Sequence, residues 1–545
     1  MTGDVGAIAA GGPANPFRVG VYRDIWIANF VSQFGSLIQV VGASWMMLSL
    51  TQSAVMVSLV QASNSLPVLA FALLAGALAD IYDRRLVMIA AQAFMLTAAV
   101  ALSVIAALGL LTPWLLLLFT FLLGAGAAFN LPARQASVGE MVPRNLLGPA
   151  IAFNSVGFNL SRSVGPALGG LIVAVAGAAA AFAVNAVSYV GLLAVLVRWR
   201  PKGEAAGLPR EQLGRAIIAG LRYVSLSPPI LAVLARGAAF GLSASALAAL
   251  LPLIARDRLE GGAATFGFLL GAFGIGAVAG AYSSIALRIR FSNEAIMRIA
   301  LGVFAVASAG SVLSRILFAT LVTQVLAGAG WILILSTLNT TVQMASPRWV
   351  VARALAIYQT VTFGCVALGA LVWGLVAANY GLIVAVLSSS VAVLATLALG
   401  LVVALPRVET LDLDPLDRWR EPGVPFGVEP KGGPVSVIIE YRIRETDRHA
   451  FVQAMTERRR IRRRDGAQRW SLHRSLEDPE VWYERYETAT WAENVRHNRR
   501  ITQADAEVGA LLKALHRGDR LIVRRMIDHT AVTASPDPPQ IPLTS

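Results

Sequence analysis

Long apolar segments separated by short polar joints occupy the chain from about Ile25 to Leu405. A helix rises about 1.5 Å per residue, so about 20 apolar residues cross a bilayer core of roughly 30 Å. These segments lack the charged outer face of helices in soluble proteins, and they therefore predict an all-α membrane domain. The twelve predicted spans cover residues 25–48, 54–79, 87–110, 114–133, 148–174, 180–198, 230–254, 264–287, 295–313, 316–340, 353–377 and 381–404.

A polar joint at 200–229 separates the spans into two bundles of six, which we expect to be pseudo-repeats. Helical spacing of apolar residues within this joint predicts an amphipathic helix on the membrane surface. Those residues are Leu213, Ile217, Ile218, Leu221 and Val224. The predicted domains are an N-terminal tail (1–22), the first bundle (23–199), the joint (200–229), the second bundle (230–405), a linker (406–434), a soluble domain (435–530) and a disordered tail (531–545).

Charged residues become frequent after Pro406, and period-two patterns appear there. Strands are predicted at 435–442, 469–476, 481–488 and 520–527, and helices at 447–464, 490–499 and 504–516. This β-α-β-β-α-β order predicts a small α+β domain of the ferredoxin-like type, with its helices on one face of the sheet.

The formal net charge is +14, and many arginines lie in the joints on one side of the predicted spans. They are Arg18, Arg23, Arg84, Arg85, Arg134, Arg144, Arg288, Arg290, Arg298, Arg348 and Arg353. The positive-inside rule places both termini and the central joint in the cytoplasm, with the spans in a bacterial inner membrane. Because these arginines account for much of the charge, we expect no nucleic-acid partner.

The sequence has few residues of the types that bind metals or cofactors. Its single cysteine, Cys365, lies inside a predicted span, and all five histidines lie beyond residue 406. We therefore expect no metal site, no internal disulfide and no cofactor. A Gly-x-x-x-x-Gly-Lys-Ser/Thr phosphate loop is missing from the sequence, which disfavours an ATP-driven pump.

A charged motif follows the second span and consists of Gly76, Asp80, Asp83, Arg84 and Arg85. Gly76 permits close approach of a neighbouring helix, and Asp80 lies just inside the membrane boundary, where an unpaired charge is costly. Arg84, Arg85 or a helix N-terminus could neutralise Asp80. A cluster that forms only when two bundles touch would act as a gate; the alternative is an ordinary loop whose arginines snorkel to the interface.

A second motif lies in the fifth span and consists of Ser161, Arg162, Gly165, Pro166, Gly169 and Gly170. Pro166 removes a backbone hydrogen bond and predicts a kink. The glycines present a smooth face for close helix packing. A kinked packing helix with no further role is the alternative.

Both motifs resemble signatures of the major facilitator superfamily. The first resembles its Gly-x-x-x-Asp-x-x-x-Arg-Arg loop, and Gly280, Ser284 and Arg288 repeat that spacing in the second bundle with a serine in place of the acid. The second motif resembles the Gly-Pro-x-x-Gly-Gly signature of exporters, with Ser161 at the position of the usual first glycine.

Further residues resemble the superfamily branch that contains the enterobactin exporter and the transmembrane secretion effectors. They are Asn130, Leu131, Pro132, Ala133, Arg134, Asn154, Asn159 and Arg162. In the tail, residues 463–467, Trp470 and residues 491–497 resemble antibiotic-biosynthesis-monooxygenase domains. The resemblance implies a proton-linked exporter of a small amphiphilic molecule, such as a drug or siderophore, working by alternating access. Its partners would be lipid, protons and the substrate, with a possible homodimer through the tail.

Polar side chains inside the spans are candidates for the wall of a substrate cavity. The candidates are Gln33, Asn64, Asn154, Asn159, Arg236, Gln324, Asn339 and Gln359. Any of the amides could instead form hydrogen bonds between helices, and Arg162 and Arg236 could snorkel towards the interface.

A carboxylate is missing from the middle of every predicted span. Proton-linked carriers usually need a titratable group that both sides can reach. Three solutions remain open: Asp80 titrates as the gate opens, Asp24 does so at the start of the first span, or the substrate itself carries the charge. Asp80 is the deepest acid and is the preferred hypothesis.

Two other roles remain open for the tail. It could be a cofactorless monooxygenase anchored by the helices, with Trp470, Trp491 and His497 lining a small pocket, although such residues more often belong to a core or an interface. Oxygen uptake by the tail would indicate this enzyme. The tail could instead be a dimerisation or regulatory module, which is the preferred role.

Overall fold

The computed structural model describes residues 15–143, 146–200, 213–347, 349–406, 432–518 and 520–527, together with Leu413, Leu416 and Glu429. Several predictions fall outside these residues. They concern the first 14 residues, most of the 406–434 linker, the C-terminal tail from residue 528, Arg144, Arg348 and the side chain of Asp80.

Apolar helices make up the membrane domain. Its first half contains α1 (Gly20–Leu50), α2 (Ala54–Ile81), α3 (Arg84–Ala107), α4 (Pro113–Met141) and α5 (Leu147–Arg198), and α6 (Leu213–Ser225) follows. Its second half contains α7 (Pro228–Leu253), α8 (Ala263–Arg290), α9 (Asn293–Leu313), α10 (Leu317–Met344), α11 (Val351–Tyr380) and α12 (Leu382–Val402). Across the described residues, eleven helices are long and apolar enough to cross a membrane, and α6 is not one of them.

The fifth and sixth predicted spans form one helix, α5, of 52 residues. Gly177 interrupts it with non-helical φ and ψ of 80° and 170°. The kink lies in the predicted gap between residues 174 and 180, so the two helices that the sequence predicted follow each other here across Gly177. A glycine adopts positive φ without steric penalty, so the chain changes direction here without a polar loop. At about 1.5 Å per residue, α5 is more than twice as long as a bilayer core is thick.

The fourth predicted span ends too early, because α4 continues from residue 133 to Met141. This extension places Arg134 inside a helix, not in the joint between spans where the sequence had placed it. Ala133, Val138 and Met141 are buried in an apolar cluster that includes Met88 and Leu196. Packing against these neighbours continues the helix after its apolar run ends, because hydropathy reports contact with lipid and not where a helix stops.

The soluble domain contains a four-stranded antiparallel sheet in the order β2-β3-β1-β4. Its elements are β1 (Val435–Arg442), α13 (Arg448–Arg464), β2 (Gln468–Arg474), β3 (Val481–Thr488), α14 (Trp491–Arg499), α15 (Gln503–Leu515) and β4 (Ile522–Ile527). The predicted bounds of β1 and β3 are confirmed, and the other elements agree within about two residues. Alternating buried positions in β1 explain this agreement, because a half-buried strand shows a period of two.

The chain forms two compact units whose limits differ from the predicted domains. The first contains residues 1–213, 232–340 and 356–405. The second joins the tail from residue 406 to two other segments, 214–231 and 341–355. The soluble domain therefore shares a unit with most of α6 and with the connection between α10 and α11.

Candidate functional site

A cavity of about 610 Å³ lies within the first unit, between helices of both halves of the membrane domain. Residues of α1, α2, α3, α4 and α5 line one side, and residues of α7, α8, α9, α10 and α11 line the other. Much of the wall is aromatic. The aromatic lining residues are Phe158, Tyr189, Phe273, Phe304, Trp331 and Phe363. Volume and apolar character are typical of a small-molecule site.

Amide side chains supply most of the polar lining of the cavity. They are Asn29, Gln33, Gln61, Asn64, Gln92, Asn130, Gln324 and Gln359. Four of the eight predicted cavity residues are among them: Gln33, Asn64, Gln324 and Gln359. Gln324 also donates a hydrogen bond to the Ser311 hydroxyl at 3.1 Å. The amides thus combine both roles that the sequence left open.

The other four predicted residues do not line this cavity. Asn154 accepts a hydrogen bond from the Tyr22 hydroxyl at 3.3 Å, and Asn159 donates one to the carbonyl oxygen of Ser155 at 2.9 Å. Asn339 lies in α10 one helical turn beyond the lining residue Leu335. Sequence alone does not show which face of an all-apolar helix turns towards the partner half, and a substrate contact of these four residues stays a prediction.

Arg236 belongs to a buried ion pair and neither lines the cavity nor snorkels. Its guanidinium is 3.4 Å from the Glu294 carboxylate and donates a hydrogen bond to the carbonyl oxygen of Val403 at 3.1 Å. The Arg236 side chain is 0% exposed and that of Glu294 is 19% exposed. The pair links α7, the first turn of α9 and the end of α12. Residues 58 positions apart carry no local signal of such a pairing.

Two arginines reach the cavity wall, Arg134 from α4 and Arg162 from α5. The Arg162 guanidinium carbon lies 5.9 Å from the centroid of the Phe273 ring, within the range of a cation–π interaction. Sequence reasoning had treated Arg134 as a joint residue and missed it as a lining residue. The signal was present, because Asn130 and Arg134 are one helical turn apart and therefore share a face.

The charged motif after α2 fastens the helices of the first half to one another. Asp83 caps α3 by accepting a hydrogen bond from the Arg85 backbone at 2.8 Å. Arg84 pairs with Glu140 of α4 at 2.8 Å, and Arg85 donates to the carbonyl oxygens of Leu196 and Val197 at 2.9 and 2.7 Å. Both guanidinium groups therefore join α3 to neighbouring helices of the first half, and a contact with Asp80, whose side chain lies outside the described part of the structure, stays a prediction. Gly76 lies within α2, with space around its Cα among the described residues.

The repeat of this motif in the second half also holds two helices together. A Cβ added to Gly280 would lie 2.7 Å from the carbonyl oxygen of Ala329, so α8 and α10 meet closely there. Ser284 donates to the carbonyl oxygen of Ala281 within its own helix at 2.7 Å. Arg288 donates to the Ser336 hydroxyl at 3.2 Å. The arginine of the repeat, like Arg84, reaches the fourth helix of its own half.

The glycine motif of α5 forms a close helix crossing. A Cβ at Gly165 would lie 3.0 Å from that of Leu37, and one at Gly169 would lie 2.9 Å from the Ile38 Cα, so both face α1. Gly170 faces α8 of the other half, where a Cβ would lie 2.8 Å from the Gly267 Cα. Ser161 is buried and donates to the carbonyl oxygen of Gly157 at 2.9 Å. The crossing lies about one helical turn beyond Pro166, which lines the cavity.

The chain matches the family described as transmembrane secretion effector over residues 11–533, nearly its whole length. It belongs to the transmembrane secretion effector family of the major facilitator superfamily. The superfamily that the two motifs resemble is thereby confirmed. This effector family member is a membrane transporter and not an enzyme.

Curated relatives and solved structures agree with this assignment. The multidrug efflux pump Tap of Mycolicibacterium fortuitum is 29% identical over 71% of the chain and 96% of its own length. The staphyloferrin A transporter of Staphylococcus aureus is 29% identical, but the match spans 31% of the chain and 43% of that relative. The enterobactin exporter EntS of Shigella boydii is 28% identical over 48% of the chain and 62% of its own length.

A solved bacterial homologue of the lysosomal transporter Spinster shares the fold of the effector family member, with a TM-score of 0.56 at 14% identity. The match covers 72% of the chain and 96% of that structure. Nucleoside transporter NupG is similar, with a TM-score of 0.56 at 13% identity over 70% of the chain and 98% of that structure. These likenesses concern the fold alone.

Buried charged side chains form a network inside the soluble domain of this transporter. Glu484 accepts hydrogen bonds from Tyr441, Arg462 and Trp470 at 3.0, 3.2 and 3.1 Å. Burial raises its pKa, but the attraction of Arg462 and Arg458 outweighs burial, so the pKa lies below its usual value. Trp470, which the sequence offered as a pocket residue, therefore belongs to the polar core.

His497 also lies in this core. Arg462 can only donate, so the imidazole Nε2 accepts its hydrogen bond at 2.9 Å and the proton of the neutral ring is on Nδ1. Burial, and then the positive charge of Arg462, hold the pKa of His497 well below its usual value. Trp491 packs at the edge of the apolar core of the domain. The three proposed pocket residues therefore have structural partners.

Within the second unit, arginines of the soluble domain contact α6 and the connection between α10 and α11. The Arg464 guanidinium lies 5.2 Å from the Tyr223 ring centroid, and that of Arg500 lies 4.2 Å from the Trp349 ring centroid. Arg460 donates to the carbonyl oxygen of Leu226 at 2.7 Å. The Tyr223 and Trp349 rings pack edge to face with centroids 5.4 Å apart. These contacts explain why the unit includes segments from three parts of the chain.

Proposed function

We propose that this transporter is a secondary active exporter of a small amphiphilic molecule. The observation that carries the proposal is the cavity of about 610 Å³, whose wall combines helices of both halves with aromatic and amide side chains. In alternating access, two halves rock around a central site, so a site shared between them is what that mechanism requires. Relatives named as an efflux pump and as exporters support the outward direction.

The membrane topology is part of this proposal. We assign twelve crossings, with α5 crossing twice around Gly177, because about 52 residues of helix exceed two bilayer thicknesses. From the distribution of arginines among the joints, we infer that both termini lie in the cytoplasm and that the protein lies in the inner membrane. The strand order β2-β3-β1-β4 supports a ferredoxin-like class for the soluble domain.

Proton coupling through Asp80 remains the preferred hypothesis. Asp80 is the deepest acid of the predicted spans, and the neighbouring Arg84 and Arg85 contact Glu140 and the end of α5. A carboxylate near a membrane boundary is suited to take up a proton as its surroundings change.

Efflux is the first measurement. Bacteria that lack their main efflux pumps and express this chain are expected to retain less of at least one lipophilic dye or catechol compound than cells without it. A protonophore is expected to abolish the difference, and Asp80→Asn to reduce it at least tenfold, because the carboxylate would carry the proton. Asp257→Asn, at an exposed pair with Arg256, is the control. If the Asp80→Asn variant keeps full protonophore-sensitive efflux, Asp80 is not the proton-coupling residue. If cells retain every compound equally with and without the protein, the proposed export function is rejected.

For the soluble domain we propose a regulatory role. It would hold α6 and the α10–α11 connection through the contacts of Arg464 with Tyr223 and of Arg500 with Trp349. Homodimer formation is a second role, supported by edge strand β4, which exposes Ile522, Val523 and Met526. Likeness to monooxygenase domains remains a resemblance only.

Weakening the contacts of the soluble domain with α6 and with the α10–α11 connection is expected to change the rate of transport without stopping it. Tyr223→Ala with Trp349→Ala removes both aromatic partners, each worth about 1–2 kcal/mol when desolvated, and keeps every residue of the soluble domain. We expect faster proteolysis between residues 406 and 434 and at least a twofold change in efflux rate. Trp114→Ala, at a 67% exposed tryptophan, is the control. Wild-type proteolysis and efflux in the double variant would contradict the regulatory role.

A further inference from the structure

Arg134 and Arg162 differ from several other arginines of the membrane domain, whose side chains have described partners. Arg84 and Arg236 each form an ion pair, and Arg258 and Arg288 donate to the Val312 carbonyl oxygen and the Ser336 hydroxyl. The two cavity arginines form no ion pair and no hydrogen bond through their side chains with any described residue.

The lining of the cavity supplies no counter-charge. Its described residues are apolar, aromatic, amide or hydroxyl residues, and the two arginines carry the only formal charges among them. Low-dielectric walls strengthen the attraction of an unpaired cation for an anion. Among its described residues, the cavity therefore has two positive charges and no carboxylate to pair with them.

Guanidinium groups favour one kind of anion. Their planar fork matches a carboxylate with two parallel hydrogen bonds, which makes the pair both strong and directional. The cavity wall also offers flat apolar surfaces, including Phe158, Trp331 and Phe273, whose ring lies 5.9 Å from the Arg162 guanidinium carbon. A ligand that pairs with the guanidinium groups and also packs on these apolar surfaces has an anionic head and an aromatic or apolar body.

We propose that the cavity selects amphiphiles that bear one or two carboxylate groups, with Arg134 and Arg162 as the residues that bind the anion. The inference rests on the proposed export function and narrows its substrate to a chemical class. It also bears on coupling, because a substrate that carries negative charge is one of the three solutions to the missing mid-membrane acid.

Binding of a matched pair of probes tests the class. We would measure the fluorescence anisotropy of 7-diethylaminocoumarin-3-carboxylate and of its carboxamide, which share one aromatic body, with the full-length protein in detergent. The carboxylate is expected to bind at least tenfold more tightly. Arg134→Gln and Arg162→Gln are each expected to weaken carboxylate binding about tenfold and to leave carboxamide binding within twofold. Arg315→Gln, at an exposed arginine outside the cavity, is the control.

Equal affinity for the two probes, including no measurable binding of either, would overturn the proposal. So would a preference for the carboxylate that both glutamine variants retain. Failure of the export function looks different. If the carboxylate probe binds selectively but cells export no compound, the export function is rejected and the anion site is kept. If both variants export neutral and cationic dyes as the wild type does, export is kept and the proposed class of carboxylate substrates is rejected.

Discussion

Replacing Gly170 with leucine is expected to abolish transport. The new Cβ would lie 2.7 Å from the carbonyl oxygen of Ala263 and 2.8 Å from the Gly267 Cα. Both are backbone atoms, so neither can turn aside as a flexible side chain would, and α5 and α8 would have to separate. Overpacking of this kind typically costs about 1–3 kcal/mol, and here it acts where the two halves meet. We expect efflux to fall more than tenfold at equal amounts of protein in the membrane.

Gly191→Leu is the matched control, because it adds the same side chain to the same helix where no described atom lies within 4 Å of the new Cβ. Gly170→Ala is expected to be intermediate, since it adds the Cβ without the larger group. Wild-type efflux by Gly170→Leu would show that the α5–α8 crossing opens freely during transport. The glycine motif would then be a packing feature without a role in export.

Breaking the Arg236–Glu294 pair is expected to have the second large effect, on stability. Arg236→Met leaves the Glu294 carboxylate 19% exposed with only exposed Arg298 and the Leu405 backbone as partners. Removal of one member of a buried pair typically costs about 3–5 kcal/mol. Unfolding of the purified protein in mixtures of SDS and mild detergent measures this loss.

The double variant Arg236→Met with Glu294→Gln is expected to recover most of the stability, because it removes both charges while the amide still accepts from the Leu405 backbone. Arg298→Met removes the exposed partner of the same carboxylate and is expected to cost less than about 1 kcal/mol. Equal losses for Arg236→Met and Arg298→Met would mean that the buried pair contributes no more than a surface pair.

Patterns that depend on neighbours within the chain were predictable from the sequence. Alternation located β1 to the residue, because that strand has one buried and one more exposed face, and the predicted bounds of β3 also agree with the structure. Runs of about 20 apolar residues located the membrane helices for the same kind of local reason. The family signatures were also local, since each lies within one helix or one loop.

Partners across the fold were not predictable. Arg162 and Arg236 are both arginines within apolar runs, and no local feature distinguishes them, whereas Arg134 shares a helix face with Asn130. The structure places Arg134 and Arg162 at the cavity. Arg236 lies against Glu294 of α9. The Arg84 and Arg85 guanidinium groups likewise contact α4 and the end of α5, helices that are distant in the sequence.

The sequence by itself determined the class of this protein: membrane helices in two sets, a soluble α+β tail and the signatures of its transporter superfamily. Each follows from periodicity or composition within a short stretch. The tertiary structure alone decided that the two halves of α5 meet at a kink without a polar joint, which side chains face the shared cavity, and that the tail shares a unit with α6. An all-apolar helix carries no mark of the face that it turns inward, so only packing against distant helices defines that face.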